Sequence, residues 1–233
     1  MTPLAALISN DGNSEPRSPT RADVWVVGGG RFGRRAVEIM AHQTAPAKIL
    51  VVDPNPEALA EPAELGVQAV QGDGTAFLVK NLRPESAPKW VIPCVPFHLA
   101  FKWIVLKLGR RARPVPVPPE YIKSAPNPLP APDHGFFISH ADFTCPDDCP
   151  EPAGRCTHTG LPRQGSLFAE AAQWPAPGFG LEVVRSRQLA PGLGGLAALD
   201  LLALENHLRT PGDYLVVTAC RCHGVVHAVT ISN

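Results

Sequence analysis

Short apolar runs alternate with helical spacings along the first half of the chain. Val24–Gly28 is a run of apolar residues that ends on glycine, and its length predicts a strand. Arg31–His42 predicts a helix with Phe32, Ala36, Val37 and Met40 on its inner side. Lys48–Asp53 reads as a second strand, apolar almost throughout, as a parallel strand covered on both faces should be. A second helix over Asn55–Leu65, with Pro56 in its first turn, ends at Gly66. Val67–Gln71 predicts a third strand, Gly72-Asp73-Gly74 a turn, and Thr75–Leu82 a short helix. Lys89–Val95 is the fourth strand, followed by the helix-like stretch Phe97–Leu108. Such alternation implies a parallel sheet with right-handed crossovers.

The pattern then changes. Eight prolines fall between Pro114 and Pro132, which predicts a semi-rigid connector over 111–133, with a short edge strand around Val115–Val117. Further on, Gly135–His140 and Gly180–Arg185 read as strands, and Leu167–Gln173 as a short helix. Leu193–Leu208 predicts a strong helix, and Tyr214–Ala219 with Val225–Ile231 a hairpin around Cys220–Gly224. Residues 1–20, rich in Ser, Asn, Pro and Thr, read as a disordered tail. The expected organisation is that tail, a first domain at 21–110, the connector at 111–133 and an α+β part at 134–233.

Composition changes this picture only at the edges. The 27 prolines among 233 residues, against a usual ~5%, agree with long ordered loops. The 21 basic and 21 acidic residues cancel, which argues against a nucleic-acid footprint. There is no basic start followed by an apolar run, and the most apolar stretch, Trp90–Leu108, carries two prolines and two lysines. A leader and a membrane span are therefore not expected, and a cytoplasmic protein is.

The chemistry concentrates first in DVWVVGGGRFGRRAVEIM, from Asp23 to Met40. Strand, glycine turn, helix, strand and acidic end are the order of a dinucleotide-binding βαβ unit. Gly28 suits the tight turn, Gly30 lets a pyrophosphate approach the backbone, and Gly33 lets the helix pack closely on the sheet. The helix start offers unpaired N–H groups to phosphates. Asp53, 20 residues beyond Gly33, can accept both ribose hydroxyls, which favours NAD over NADP. Arg31 and Arg34 could neutralise phosphate charge or lie on a solvated helix face. The fold class that follows is α/β, a Rossmann-like parallel sheet with a smaller α+β cysteine-containing C-terminal part.

Three stretches, VVGGGRFGRRAVE (Val26–Glu38), VVDPNPEAL (Val51–Leu59) and GVQAVQGDGT (Gly66–Thr75), resemble the TrkA-N or RCK N-terminal family. These are NAD-binding regulatory domains of potassium transporters and channels. The resemblance covers about residues 22–108. It implies NAD(H) held by Gly28, Gly30, Arg31, Phe32, Gly33 and Asp53, with Asp73 and Gly74 at the adenine side. Siroheme-type dehydrogenase domains share the same opening. The chain departs from the TrkA-N pattern at Cys94-Val95-Pro96, where the family has small and hydroxyl residues. The connector and the cysteine-bearing half have no counterpart in it.

That second half carries Cys145, Cys149, Cys156, Cys220 and Cys222. In a cytoplasmic protein, five soft ligands suggest metal, since three from a loop and one from a hairpin tip would complete a tetrahedral set. Zinc or an iron–sulfur cluster would use the same thiolates, with His158 and His223 as substitute ligands. Buried thiols or a redox pair are the alternatives. Cys94 reads best as a small buried hydrophobe. No convincing catalytic set emerges. Cys94 with His98, and His140 with Asp142, are the only groups at strand ends that could touch a nicotinamide or its substrate. The expected function is an NAD(H)-binding regulatory or sensor protein with a cysteine-bound metal, and the alternative is an NAD-dependent oxidoreductase with a zinc or iron–sulfur centre. The expected partners are the dinucleotide and a transporter or redox protein, with a homodimer left open.

Overall fold

The computed structural model describes residues 22–163 and 165–233; the tail expected at 1–20 lies outside them. Four parallel strands open the chain: β1 (Val24–Val27), β2 (Ile49–Asp53), β3 (Gln68–Gln71) and β4 (Trp90–Pro93). β1 lies at their centre, with Val24 opposite Ile49 on one side and Trp90 on the other. Helices α1 (Arg31–Ala41), α2 (Glu57–Glu64) and α3 (Gly74–Asn81) connect them in turn. Alternation along β1 explains the layering. Val24 and Val26 pack under α1 on Ala36, Val37 and Met40, together with Ile49 and Val51 of β2. Trp25 and Val27 point to the other face, with Leu50, Val52, Leu78 and Phe101.

Phe32 is not on the inner side of α1, as the periodicity suggested. It is 56% exposed, and Gly33, Ala36, Val37 and Met40 form the buried stripe. The first turn of a helix that leaves the end of a strand overhangs the sheet edge. A side chain there meets the cleft rather than the core.

The second half continues the same sheet. Its elements are α4 (Leu99–Leu108), β5 (Ala112–Val115), α5 (Pro119–Ser124), β6 (Leu129–Ala131), β7 (Gly135–Ser139), α6 (Leu167–Ala171), β8 (Phe179–Ala190), β9 (Leu193–Ala197), α7 (Ala198–His207), β10 (Gly212–Ala219) and β11 (His223–Ile231). The strand order is β3-β2-β1-β4-β9-β8-β10-β11-β7-β6, with β5 on β11. The proline-rich stretch thus carries β5, α5 and β6. Pro114, opposite Val229, is in a short edge strand.

One expected helix starts late. Leu193–Ala197 form β9, not the first turns of a helix, and α7 begins at Ala198. Gly194 and Gly195 weaken any helix there. Hydrogen bonding to β4 gives the stretch an edge, with Trp90 opposite Ala197 and Val91 opposite Leu196. That short antiparallel pairing joins the two halves. Leu196, Leu201, Leu204, Val216 and Ile231 accordingly share one core with Trp25, Leu50, Phe101 and Trp103. A third cluster, around Tyr121, Ile138, Leu167, Leu215 and Val226, closes the far end.

Candidate functional site

The glycine loop sits at the C-terminal ends of β1, β2 and β4, where open α/β sheets bind ligands. Gly28 has a φ of +100°, and a Cβ there would lie 2.5 Å from the Cys94 carbonyl oxygen. Its N–H donates to Val52 O at 2.9 Å. A Cβ on Gly33 would lie 1.9 Å from Gly28 O, so the first turn of α1 can approach the strand end only without a side chain. Gly30 is different: nothing lies within 4 Å of where its Cβ would be. It is the N-cap of α1, with no side-chain hydrogen bond at that cap. The helix end therefore presents its N–H groups to open space.

Asp53 closes β2 and faces this loop. Its Oδ2 accepts from the Gly29 N–H at 2.7 Å, and its Oδ1 from the Asn55 N–H at 2.8 Å. Asp73 caps α3, with Oδ1 accepting from the Ala76 N–H at 2.7 Å. Gly74 is tight against β1: a Cβ would meet Val27 Cγ1 at 2.4 Å. Arg34 pairs with Glu61 at 3.3 Å across α1 and α2, on exposed side chains. Arg31 reaches instead to Asp147, at 2.8 Å.

That ion pair leads to the cysteines. The segment between β7 and α6 holds no regular helix or strand among its described residues, only an isolated bridge between Arg155 and Pro162. It is fastened to the turn between β8 and β9. Gly192 N–H donates to Cys149 O at 2.9 Å, and the Gln188 amide to the same oxygen at 2.5 Å. A cavity of about 310 Å³ results, lined by Phe32, Cys145, Cys149, Glu151, Gly192, Gly194, Cys220, Cys222 and His223 among others. A second, of about 300 Å³, shares Phe32 and Gly192–Gly194 with it and reaches Arg35 and Cys94–Pro96 at the end of β4. Phe32 borders both cavities.

Cys145 Sγ stands 3.4 Å from His223 Nε2. Burial raises its pKa first, and the charges of Cys149, Cys222 and Cys156 add to that. Burial likewise raises Cys222, and pushes Cys220 up to about 12 with the Glu151 carboxyl beside it. Cys156 goes the other way. Hydrogen bonds from the backbone and hydroxyl of Thr159 hold its thiol below the usual range. Among the described residues, no three His, Cys, Asp or Glu side chains already stand in a metal-coordinating arrangement. The His158 ring stacks on Phe143 with centroids 4.4 Å apart.

The remaining sequence candidates have other partners. Burial pushes the Cys94 thiol up to about 12, which suits a packed hydrophobe. His98 does not reach the cleft. It is buried, with Nε2 2.8 Å from Thr218 Oγ1 and Nδ1 3.0 Å from His227 Nδ1. His227 in turn lies 2.9 Å from Pro132 O. This internal polar chain escaped the sequence reading because Thr218 and His227 lie on β10 and β11, more than a hundred residues from His98. His140 pairs with Glu170 at 3.1 Å, and Asp142 is exposed. Glu151, Arg163 and Gly192 were also missed. The cluster of Gly192, Gly194 and Gly195 was the one signal that could have marked that turn as a close backbone approach.

A parallel sheet opening on a glycine loop and an acid-ended second strand is the arrangement of a Rossmann-like domain. The TrkA-N domain model matches residues 24–88, and such a domain implies binding of NAD(H). A family model described as "Uncharacterized protein, C-terminal domain" matches residues 97–232, more than half of the chain, and the chain belongs to that family. It is similar to an "Uncharacterized protein" of Archaeoglobus fulgidus, 26% identical over 221 residues, covering 88% of this chain and 97% of the relative. No solved structure matches the chain. Among the described residues no helix is long and apolar enough to cross a membrane.

Proposed function

We propose that the protein is an NAD(H)-binding regulatory protein of the kind that TrkA-N domains form in potassium transport systems, working in the cytoplasm with a transporter as partner. One observation carries the nucleotide reading: Gly30 alone of the loop glycines faces open space, at a bare helix N-terminus. The pyrophosphate fits there, held by N–H groups of the first turn of α1 and by the positive end of the helix. Asp53 exchanges its bond to the Gly29 N–H for the ribose hydroxyls. Asp73 and Gly74 border the adenine, and Arg31 supplies charge by turning from Asp147. Bound NAD(H) supplies a redox-sensitive ligand whose two forms differ in charge and ring shape at the Phe32 end of the cleft.

A second reading is an NAD-dependent oxidoreductase with a cysteine-bound zinc or iron–sulfur centre. What favours it is the shared wall: Phe32 and Gly192–Gly194 border both the end of β4 and the thiols. Calorimetric titration with NAD⁺ and NADH tests the first reading. Asp53→Ala should weaken binding at least about tenfold, the loss of ~1.4 kcal/mol expected for hydrogen bonds to a charged group. Unchanged affinity removes the ribose assignment. The second reading requires, in addition, a bound metal by elemental analysis and, if it is an iron–sulfur cluster, visible absorbance that bleaches when NADH is added; zinc is colourless and redox-inactive.

A further inference from the structure

The acidic member of the Arg31–Asp147 pair comes from the second half of the chain, and backbone sets its place. A Cβ on Gly192, at φ +71°, would lie 1.6 Å from Asp147 O and 3.2 Å from the Cα of Asp148. The turn between β8 and β9 therefore lies against the main chain of Asp147. The Gly192 N–H and the Gln188 side-chain amide both donate to Cys149 O, two residues further on. The same turn is fastened along α1. Arg35 donates to Pro191 O, and Gln43, just beyond the helix, to Leu189 O, at 3.4 Å each. Asp147 is thus carried to the start of α1 on a main chain that is already placed.

An exposed ion pair adds little stability by itself, and side chains 77% and 57% exposed make this pair one of that kind. Its interest is the cation that it engages. Arg31 is the first residue of α1 and follows Gly30, whose Cβ position is open. That helix end attracts anions, and Arg31 is the nearest side-chain charge in sequence that can meet them. The guanidinium instead stands 2.8 Å from Asp147 Oδ2 and 5.4 Å from the centre of the Phe32 ring. A carboxylate of the protein therefore holds the group that a phosphate would use.

We propose that Asp147 sets the affinity of the nucleotide site as a built-in competitor, holding Arg31 until the phosphates of the ligand take it. This rests on the nucleotide reading above. A pyrophosphate can win the exchange because it offers the guanidinium two charge-assisted hydrogen bonds and also meets the N–H groups of the helix end. The exchange still weakens binding, since the Arg31–Asp147 contact is given up and an unpaired carboxylate is left near the bound phosphates. Coupling is reciprocal, so whatever draws the stretch 145–149 away from α1 raises nucleotide affinity. The cysteine segment then acts on the glycine loop through one side chain, with no change in the loop itself.

The test is calorimetric titration of the full chain with NAD⁺ and, separately, with inorganic pyrophosphate. Asp147→Asn keeps the shape of the side chain and should bind each probe at least about threefold more tightly. Asp148→Asn removes the same charge one residue away and should gain less than about twofold. In an Arg31→Ala background the gain from Asp147→Asn should also fall below about twofold, because the cation under competition is gone. Raising the salt from about 0.05 M to about 0.5 M should narrow the gap between parent and Asp147→Asn. Tighter pyrophosphate binding by Asp147→Asn without any NAD⁺ binding supports the competitor and removes the dinucleotide reading. Equal affinities of parent and Asp147→Asn overturn the proposal and leave that reading standing. Equal gains from Asp147→Asn and Asp148→Asn, or a gain undiminished by Arg31→Ala, also overturn it. Absence of binding of either probe by every form overturns both.

Discussion

The glycine-loop end of the sheet and the cysteine segment reach their shapes by opposite means. In the first, strands of four or five residues, apolar almost throughout in β1 and β2, pair in parallel, and helices cover both faces. Main-chain ladders and buried Val, Ile and Leu hold it, and Gly28 and Gly33 are fixed by backbone crowding. In the second, an isolated bridge interrupts otherwise irregular chain among the described residues, and the Arg31–Asp147 pair and bonds to Cys149 O help to hold the segment. The contrast teaches where chemistry can be set rigidly and where it can be left to a ligand. A nucleotide site built on crowded backbone exists before its ligand arrives. A loop held by a few polar contacts can still adjust around one.

The largest expected effect breaks the first kind of order. Gly33→Val forces a side chain where even a Cβ would overlap Gly28 O, and should cost at least about 4 kcal/mol or prevent soluble expression. Gly154→Ala, in the cysteine segment, meets nothing within 4 Å and should shift stability by less than about 0.5 kcal/mol. Thermal unfolding of the pair checks the comparison, and equal losses would contradict it.

Leu196→Ala comes next. Leu196 is buried on β9, the strand that ties the two halves, and its truncation should cost about 2–5 kcal/mol. Because one core spans the junction, calorimetry should show a single transition for the parent protein. Two resolved transitions would mean that the halves unfold separately.

A smaller effect comes from acid. Burial lowers the pKa of His98, with the charge of His227 adding to it, and burial also lowers His227. The unfolded chain holds these groups near about 6.5 and so binds more protons below that value. Their contribution to stability is present above about pH 6.5 and is lost as the pH falls through the folded values, at up to ~1.4 kcal/mol per pH unit for each histidine. His223, lowered by burial, acts in the same direction. Urea midpoints from pH 8 to pH 5 should fall below that point, and less steeply in His227→Gln. A flat profile would contradict the buried assignment.

The two regions were also unequally legible in the sequence. Apolar runs such as Ile49–Val52 announce strands because burial on both faces needs every residue. Gly28 and Gly33 are legible for a related reason, since backbone crowding leaves one residue type. Phe32 was misread because helical periodicity does not say where the sheet beneath the helix stops. Leu193–Ala197 were misread because the sequence of a short strand between two turns looks like a helix start, and only the edge of β4 decides. The gathering of Cys145, Cys149, Cys220 and Cys222 around one cavity was suggested by residue type alone. The approach of Arg163 to Cys222 is a tertiary contact that no local pattern encodes. The His98–Thr218–His227 chain is of the same sort, three polar residues that meet only after β10 and β11 have paired.

The central claim is that the open side of the glycine loop is where a dinucleotide sits, and Gly30→Ala tests it most directly. The backbone at Gly30, with φ −64° and ψ −164°, is extended, and a Cβ there meets no protein atom within 4 Å. The substitution should therefore leave the melting temperature within about 2 °C of the parent. In the calorimeter the parent should bind NAD⁺ or NADH saturably with one site per chain, and Gly30→Ala should lose at least about tenfold in affinity, because the added methyl occupies the place of the pyrophosphate. No binding by the parent, or equal binding by Gly30→Ala, would contradict the account.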